Sequence, residues 1–284
     1  MMRAQTQDSY ATRIQRVAEF VSDHLDEEIS LDRLSEEARL SPYHFHRIYA
    51  SVIGETVGDT VRRLRLHRAA FELIETQKPI ASIARRAGYG SSAAFTRAFG
   101  GSYGVPPGAY RRGERARDPD TSTPSGEHPM YQVTVERTPP VRLAAMDHRG
   151  DYNEIGKTFD PLFAWAGMRG LLGPQTRSFG VYYDDPDATP ARDLRSVAGL
   201  MVGADFKPDG RVKIIELPEM IVATLIHKGP YAELRGAYRY LYRSWLPKSG
   251  REPGDTPCFE EYLNNPRATP PTEWLTRVSM PLAA

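Results

Sequence analysis

Two internal repeats constrain this 284-residue chain more than any other feature. In the first half, Phe45-His46-Arg47-Ile48-Tyr49 returns 50 residues later as Phe95-Thr96-Arg97-Ala98-Phe99, and Gly54 returns as Gly104. In the second half, His148-Arg149-Gly150-Asp151-Tyr152-Asn153-Glu154 returns at an offset of 79 as His227-Lys228-Gly229-Pro230-Tyr231-Ala232-Glu233. Around that second repeat Pro139 matches Pro218, Phe159 matches Tyr238 and Leu162 matches Leu241. Between the repeats, Gly113 to Pro129 holds three prolines and no aromatic, Val, Ile, Leu or Met residue. A segment that buries nothing cannot offset its ordering entropy, so it reads as a linker. The expected division is a domain at 1–112, a linker at 113–129 and a domain at 130–284, with no core crossing the linker.

The two halves differ in period. Ile14, Val17, Ala18, Val21 and Leu25 recur at helical spacing, and Ser30, Ser41-Pro42, Pro79 and Ser91 or Ser92 are start signals for further helices. A long helix is expected through Val61, Leu64, Leu66, Ala69, Leu73 and Ile74. After the linker, Val133 and Val135, Phe179, Val181 and Tyr183, and Val212 and Ile214 alternate with period two, as strands do. Helices are expected at about 154–166 and 233–246. The fold class is therefore multidomain: an all-α tandem helix-turn-helix domain, then an α+β domain of two pseudo-symmetric strand-strand-helix units.

In each copy of the first repeat the flanking aromatics claim the core side of a short helix, so Arg47 and Arg97 point outward. An arginine fork can pair with guanine O6 and N7 in the major groove. Charge points the same way. Residues 39–117 hold 14 Lys and Arg against 5 Asp and Glu, although the whole chain is only +1. A basic block in a neutral chain suggests a phosphate-bearing partner.

Composition excludes other classes. The chain is 40% hydrophobic and 26% charged, the balance of a soluble folded protein. Cys258 is the only cysteine, so no intrachain disulfide or cysteine zinc cage exists. The histidines are scattered, and Met220 to Ile226, the most apolar stretch, is too short to cross a bilayer. The N-terminus lacks a signal-peptide layout. A cytoplasmic protein is expected, with no membrane contact, catalytic residue, metal or cofactor.

Residues 14–112 resemble the DNA-binding domain of the AraC/XylS family of transcription regulators, through SLDRLSEEARLSPYHFHRIY, VRRLRLHRAAFELI, PIASIARRAGYGSSAAFTRAF and YGVPPGAYRR. The resemblance implies that the second helix of each unit enters the major groove of double-stranded promoter DNA. Carried over by position, the DNA-binding residues are Tyr43, His46 and Arg47, then Ser92, Ala93, Thr96 and Arg97. Ser92 and Ala93 stand where some relatives carry longer polar side chains, so the second helix is expected to read fewer base edges. RNA polymerase is a candidate partner, and monomer and dimer both fit. One chain with two reading helices can span successive grooves about 34 Å apart.

Residues 130–284 resemble the GyrI-like effector-binding domain, through HKGPYAEL, FGVYYDDP, LRSVAGLMV, CFEEYLNNP and LTRVSMPL. The resemblance implies an aromatic-walled pocket for a small-molecule effector with an acid inside it, which by position is Glu260. Period two puts Glu260 and Tyr262 on one strand face and Phe259 and Glu261 on the other. A carboxylate among aromatic rings favours a cationic aromatic or lipophilic ligand. The alternative for Glu260 is an ion pair with Arg195 or Arg277. Tyr182, Tyr183, Trp165 and Trp245 are candidate pocket walls, or ordinary core; Tyr152 and Tyr231 read as caps on each unit. The expected function is a one-component transcription regulator that senses a small molecule. Two alternatives stand beside it: a GyrI-like hydrolase using Glu260 and Tyr262, and a protein-binding module of the topoisomerase-contacting type.

Overall fold

The computed structural model describes residues 2–114 and 131–283, so the expected linker, apart from Gly113 and Glu114, lies outside the described residues. The first half is helical: α1 (Met2–Asp23), α2 (Leu31–Ala38), α3 (Pro42–Ile53), α4 (Val57–Glu75), α5 (Ile80–Arg86), α6 (Ser92–Tyr103) and α7 (Pro107–Arg111). Ser30, Ser41 and Ser91 cap α2, α3 and α6 by accepting from the backbone N–H of Arg33, His44 and Ala94. Gly54 (φ 84°) and Gly104 (φ 75°) end α3 and α6 in the left-handed region, which explains why glycine recurs at that repeat position.

Each helix-turn-helix unit has its own core. Phe45 and Tyr49 pack with Ile14, Val17 and Leu34 in the first; Phe95 and Phe99 pack with Ile83, Tyr103 and Tyr110 in the second. Helix α4 joins them, giving Leu64 to one and Leu66, Ala69, Ala70 and Leu73 to the other. Ile74, expected on the buried stripe, is exposed.

The second half comprises β1 (Thr134–Thr138), β2 (Val141–Arg149), α8 (Gly156–Met168), β3 (Ser178–Tyr182), β4 (Arg195–Met201), β5 (Lys213–Leu217), β6 (Met220–Lys228), α9 (Leu234–Arg239), a π-helical turn at Tyr240–Trp245, α10 (Leu246–Ser249), β7 (Cys258–Tyr262) and β8 (Leu275–Pro281). One antiparallel sheet runs β1-β6-β8-β7-β3-β4-β2-β5. The repeating unit is thus strand, strand, helix, strand, strand, two strands longer than expected. The first strand of each unit is exchanged: β1 pairs with β6, and β5 with β2. The units meet where β3 pairs with β7, in a register that sets Gly180 opposite Glu260. The repeated histidines brace equivalent turns. His148 Nε2 lies 3.0 Å from the Asp151 carbonyl, and His227 Nε2 lies 3.3 Å from the Pro230 carbonyl.

The expectation that no core is shared between the halves is corrected. Ala164 of α8 is buried in the same cluster as Ile14 and Phe45, and Ala232 joins Phe95 and Phe99. A Cβ at Gly167 would lie 2.9 Å from the Val52 carbonyl oxygen, so only glycine lets α8 approach α3 this closely. Four largely buried charges meet at the boundary. Arg63 pairs with Glu55 (2.8 Å) and Asp160 (3.3 Å), and Arg267 pairs with Asp160 (2.7 Å) and Glu55 (3.4 Å). The linker's composition describes the linker alone; it carries no information about how the flanking surfaces meet.

Candidate nucleic-acid interface and ligand pocket

On α3, Tyr43, His46 and Arg47 lie one turn apart and all are exposed. The Arg47 guanidinium donates to the Tyr43 hydroxyl at 2.7 Å, which holds the fork above the helix surface. On α6, Ser92, Ala93 and Arg97 are exposed and Thr96 is half-buried. Six of the seven fall at matched positions of the repeat, 43 with 93, 46 with 96 and 47 with 97, and Ser92 stands where the first unit has Pro42. Much of the basic block faces elsewhere. Arg65 donates to the Leu25 and Glu27 carbonyls, Arg111 to those of Leu73 and Lys78, and Arg68 and Arg86 pair with Asp26. The local charge count thus overstates the charge available to DNA, because several arginines fasten helices together.

The second site is a cavity of about 860 Å³ whose floor is the β3–β7 seam and whose rim includes α9. Glu260 is only 4% exposed. Three hydroxyls reach it: Tyr262 at 2.9 Å and Tyr182 at 3.1 Å to Oε2, and Tyr238 at 3.0 Å to Oε1. The Tyr182 and Tyr262 hydroxyls also lie 2.8 Å apart. Burial pushes the Glu260 carboxyl above its ordinary pKa, while the tyrosine hydrogen bonds pull it back. Oε2 and the two hydroxyls make three contacts with two hydroxyl protons, so a proton on Glu260 completes the triangle.

The ion-pair alternative for Glu260 does not occur. Arg195 pairs with Asp184 at 2.7 Å, and Arg277 pairs with Glu261 at 2.8 Å. Glu261, on the opposite face, also takes Arg177 at 2.6 Å. Among the described residues no ion pair involves Glu260.

The aromatic candidates divide. Tyr262 and Tyr183 line the cavity. Trp165 does not: it is buried under α8, where Nε1 donates to Asp209 at 2.7 Å and the ring meets Phe206 edge-on. Trp245 packs into the cluster of Leu225, Leu241 and Met280, also away from the cavity. Tyr152 and Tyr231 are walls as well as caps. The Tyr152 hydroxyl meets the Asp184 and Arg195 carbonyls, and Tyr231 stacks on Trp274 at 4.3 Å.

Tyr238 is a polar pocket residue that sequence reasoning missed, and a signal was present. The pseudo-symmetry keeps Tyr182 and Tyr262, and two of the positions at which it breaks are Phe159 against Tyr238 and Gly180 against Glu260. Both breaks add a polar group in the second unit, and the fold brings those two groups into contact.

A family model for the GyrI-like small molecule binding domain matches residues 131–283, and a helix-turn-helix domain model matches residues 34–113. Regulatory protein SoxS of Salmonella typhimurium is 32% identical over 36% of this chain and 96% of its own length. The chain is an AraC-family regulator with a GyrI-like domain. This regulator is also 37% identical to the uncharacterized HTH-type transcriptional regulator YbfP of Bacillus subtilis, over 36% of the chain but only 35% of YbfP. The EcmrR chain in its cryo-EM DNA complex covers 89% of the regulator and is itself covered to 98%, at 18% identity and a TM-score of 0.47, too distant to bear on function. Among the regulator's described residues no helix is long and apolar enough to cross a membrane.

Proposed function

We propose that this AraC-family regulator is a one-component sensor of an aromatic or lipophilic cation. The observation that carries the reading is Glu260: a nearly inaccessible carboxyl, ringed by three tyrosine hydroxyls, with no ion pair among the described residues. A buried carboxylate is costly unless compensated. The tyrosines and a proton compensate it. A cation displaces the proton, and the faces of the surrounding rings attract the same positive charge. A neutral molecule of equal shape gains only the burial of its apolar surface.

In this reading residues 1–112 bind promoter DNA in the cytoplasm through Tyr43, His46 and Arg47 of α3 and Ser92, Ala93, Thr96 and Arg97 of α6. Residues 130–284 bind the effector. The protein acts by binding and not as an enzyme.

The test is the melting temperature of the full chain with a biphenylmethyl trimethylammonium probe and with its neutral isostere, carbon replacing nitrogen. A ligand that binds only the folded state raises the melting temperature. The cation is expected to do so and the isostere to do much less; equal shifts, or none, sink the reading. Incubation with activated esters and epoxides is expected to give no turnover. Turnover abolished by Glu260→Gln would favour a hydrolase instead.

A further inference from the structure

Leu64, His67 and Phe71 of α4 face the same cavity as Glu260, with Arg63 and Glu75 on the same wall. Helix α4 belongs to the DNA-binding half and joins its two units. The contact with the other half is close. The His67 ring lies edge-on to Tyr231 at 5.7 Å and meets Trp274 at 5.8 Å, and Tyr231 meets Tyr262 at 5.3 Å.

This wall comes from the most basic part of the chain yet offers a cation little opposition. The Arg63 charge is met by Glu55 and Asp160. Burial, and then neighbouring Arg63, push the His67 pKa down to about 4, so the imidazole is neutral near pH 7. Glu75 stands at the mouth, paired with Arg235 of α9. Leu64 and Phe71 supply apolar surface.

We propose that the ligand is held between the two halves, with α4 as one wall of its site, so that it bridges the DNA-binding and GyrI-like domains. This rests on the reading of Glu260 as the cation site. A molecule touching both halves binds best when they are docked as described here, and therefore favours that docking. Because α4 carries the α3 and α6 units on either side, occupancy of the pocket and the placement of the two DNA-reading helices become linked, and the linkage is reciprocal.

The test titrates the full chain with the biphenylmethyl trimethylammonium probe. His67→Ala, which opens the α4 wall, is expected to weaken binding about fivefold or more, and His67→Phe, which restores a ring, to stay within about twofold of the parent. Glu75→Lys reverses a charge at a half-exposed mouth position, where Arg235 keeps Asp187 as a partner. It is expected to weaken binding about threefold, while Glu216→Lys, the same change on exposed β5, leaves it unaltered. Parent-like affinity in both His67→Ala and Glu75→Lys, with Glu260→Gln weakened, overturns the bridge and leaves the Glu260 site standing. Parent-like affinity in Glu260→Gln, or no binding of the probe to the parent, removes the cation site and the bridge together.

Discussion

Gly180 and Glu260 occupy the same position in the two halves of the duplicated domain and face each other across the β3–β7 seam. A Cβ at Gly180 would lie 2.8 Å from both the Tyr182 and the Tyr262 hydroxyl oxygens. The missing side chain on one strand is what leaves room for the hydroxyls that surround the carboxyl on the other. A pseudo-symmetric pair of units thereby yields one acidic site and not two.

Gly180→Ala should therefore push the two hydroxyls off Glu260 while the strand backbone stays intact. Overpacking of this kind costs about 1–3 kcal/mol of stability. Calorimetry should show weaker cation binding together with a lowered melting temperature. Unchanged cation affinity would mean that the tyrosine cluster does not set the site.

The pH dependence follows from the raised pKa of Glu260. The folded state holds this proton more tightly than the unfolded state, so the associated stability is present below the ordinary carboxyl range and is lost as pH rises through the folded pKa. Cation affinity should change in the opposite sense, rising over the same window as the carboxylate forms. His67 has a lowered pKa, so its contribution is present above about 6.5 and is lost as pH falls towards about 4. Measured in a His67→Phe background, the rise of cation affinity with pH should disappear in Glu260→Gln, while the stability slope keeps the contributions of other shifted groups such as His148 and Asp209. Calorimetry in buffers of different ionisation enthalpy should show proton release on cation binding, and no release would count against a protonated Glu260.

Glu261→Gln should act on stability and leave the pocket alone. Glu261 is 5% exposed and faces away from the cavity, between Arg177 and Arg277. Removing its charge leaves two half-exposed arginines without their partner, so the melting temperature should fall while the probe affinity stays that of the parent. Greater loss of affinity here than in Glu260→Gln would reverse the assignment of the two faces.

Arg47→Ala and Arg97→Ala should each cost about 1–3 kcal/mol of specific DNA binding if each fork pairs with a base. Tyr43→Phe removes the hydroxyl that holds Arg47 and should cost less. Binding by the full chain to a selected duplex, followed against salt, should weaken steeply as counterions are released. Parent-like specific binding in both arginine variants would exclude these residues from the groove.

Asp160→Ala should destabilise the chain by about 3–5 kcal/mol, because it leaves two largely buried arginines, Arg63 and Arg267, to share Glu55 alone. The loss should be seen in both halves at once, by tryptophan fluorescence in the second half, which holds all three tryptophans, and by amide exchange in α4 and α6 of the first. Loss confined to one half would indicate that the boundary network does not join them.

Much was legible locally. The serine caps, the αL glycines after α3 and α6, the outward Arg47 and Arg97, and the shared face of Glu260 and Tyr262 all follow from spacing within one element. Those spacings are set by the 3.6 and 2.0 periods of the backbone and need no knowledge of partners. For Trp165 and Trp245 the choice between pocket wall and core is not legible, for the converse reason. Period says which face a residue occupies, and both faces of this sheet and its helices are covered.

What the sequence by itself determined was the identity and order of the units: two helix-turn-helix repeats, then two α+β repeats, with an acid at 260. Only the tertiary structure decided that β1 and β5 change places between the units, that Glu260 collects hydroxyls from β3, β7 and α9, and that Arg63 meets Asp160 from 97 residues away. The physical reason is that pairing energies depend on which surfaces meet. A buried charge or carboxyl takes the complement that packing brings within about 3 Å, whatever its distance along the chain.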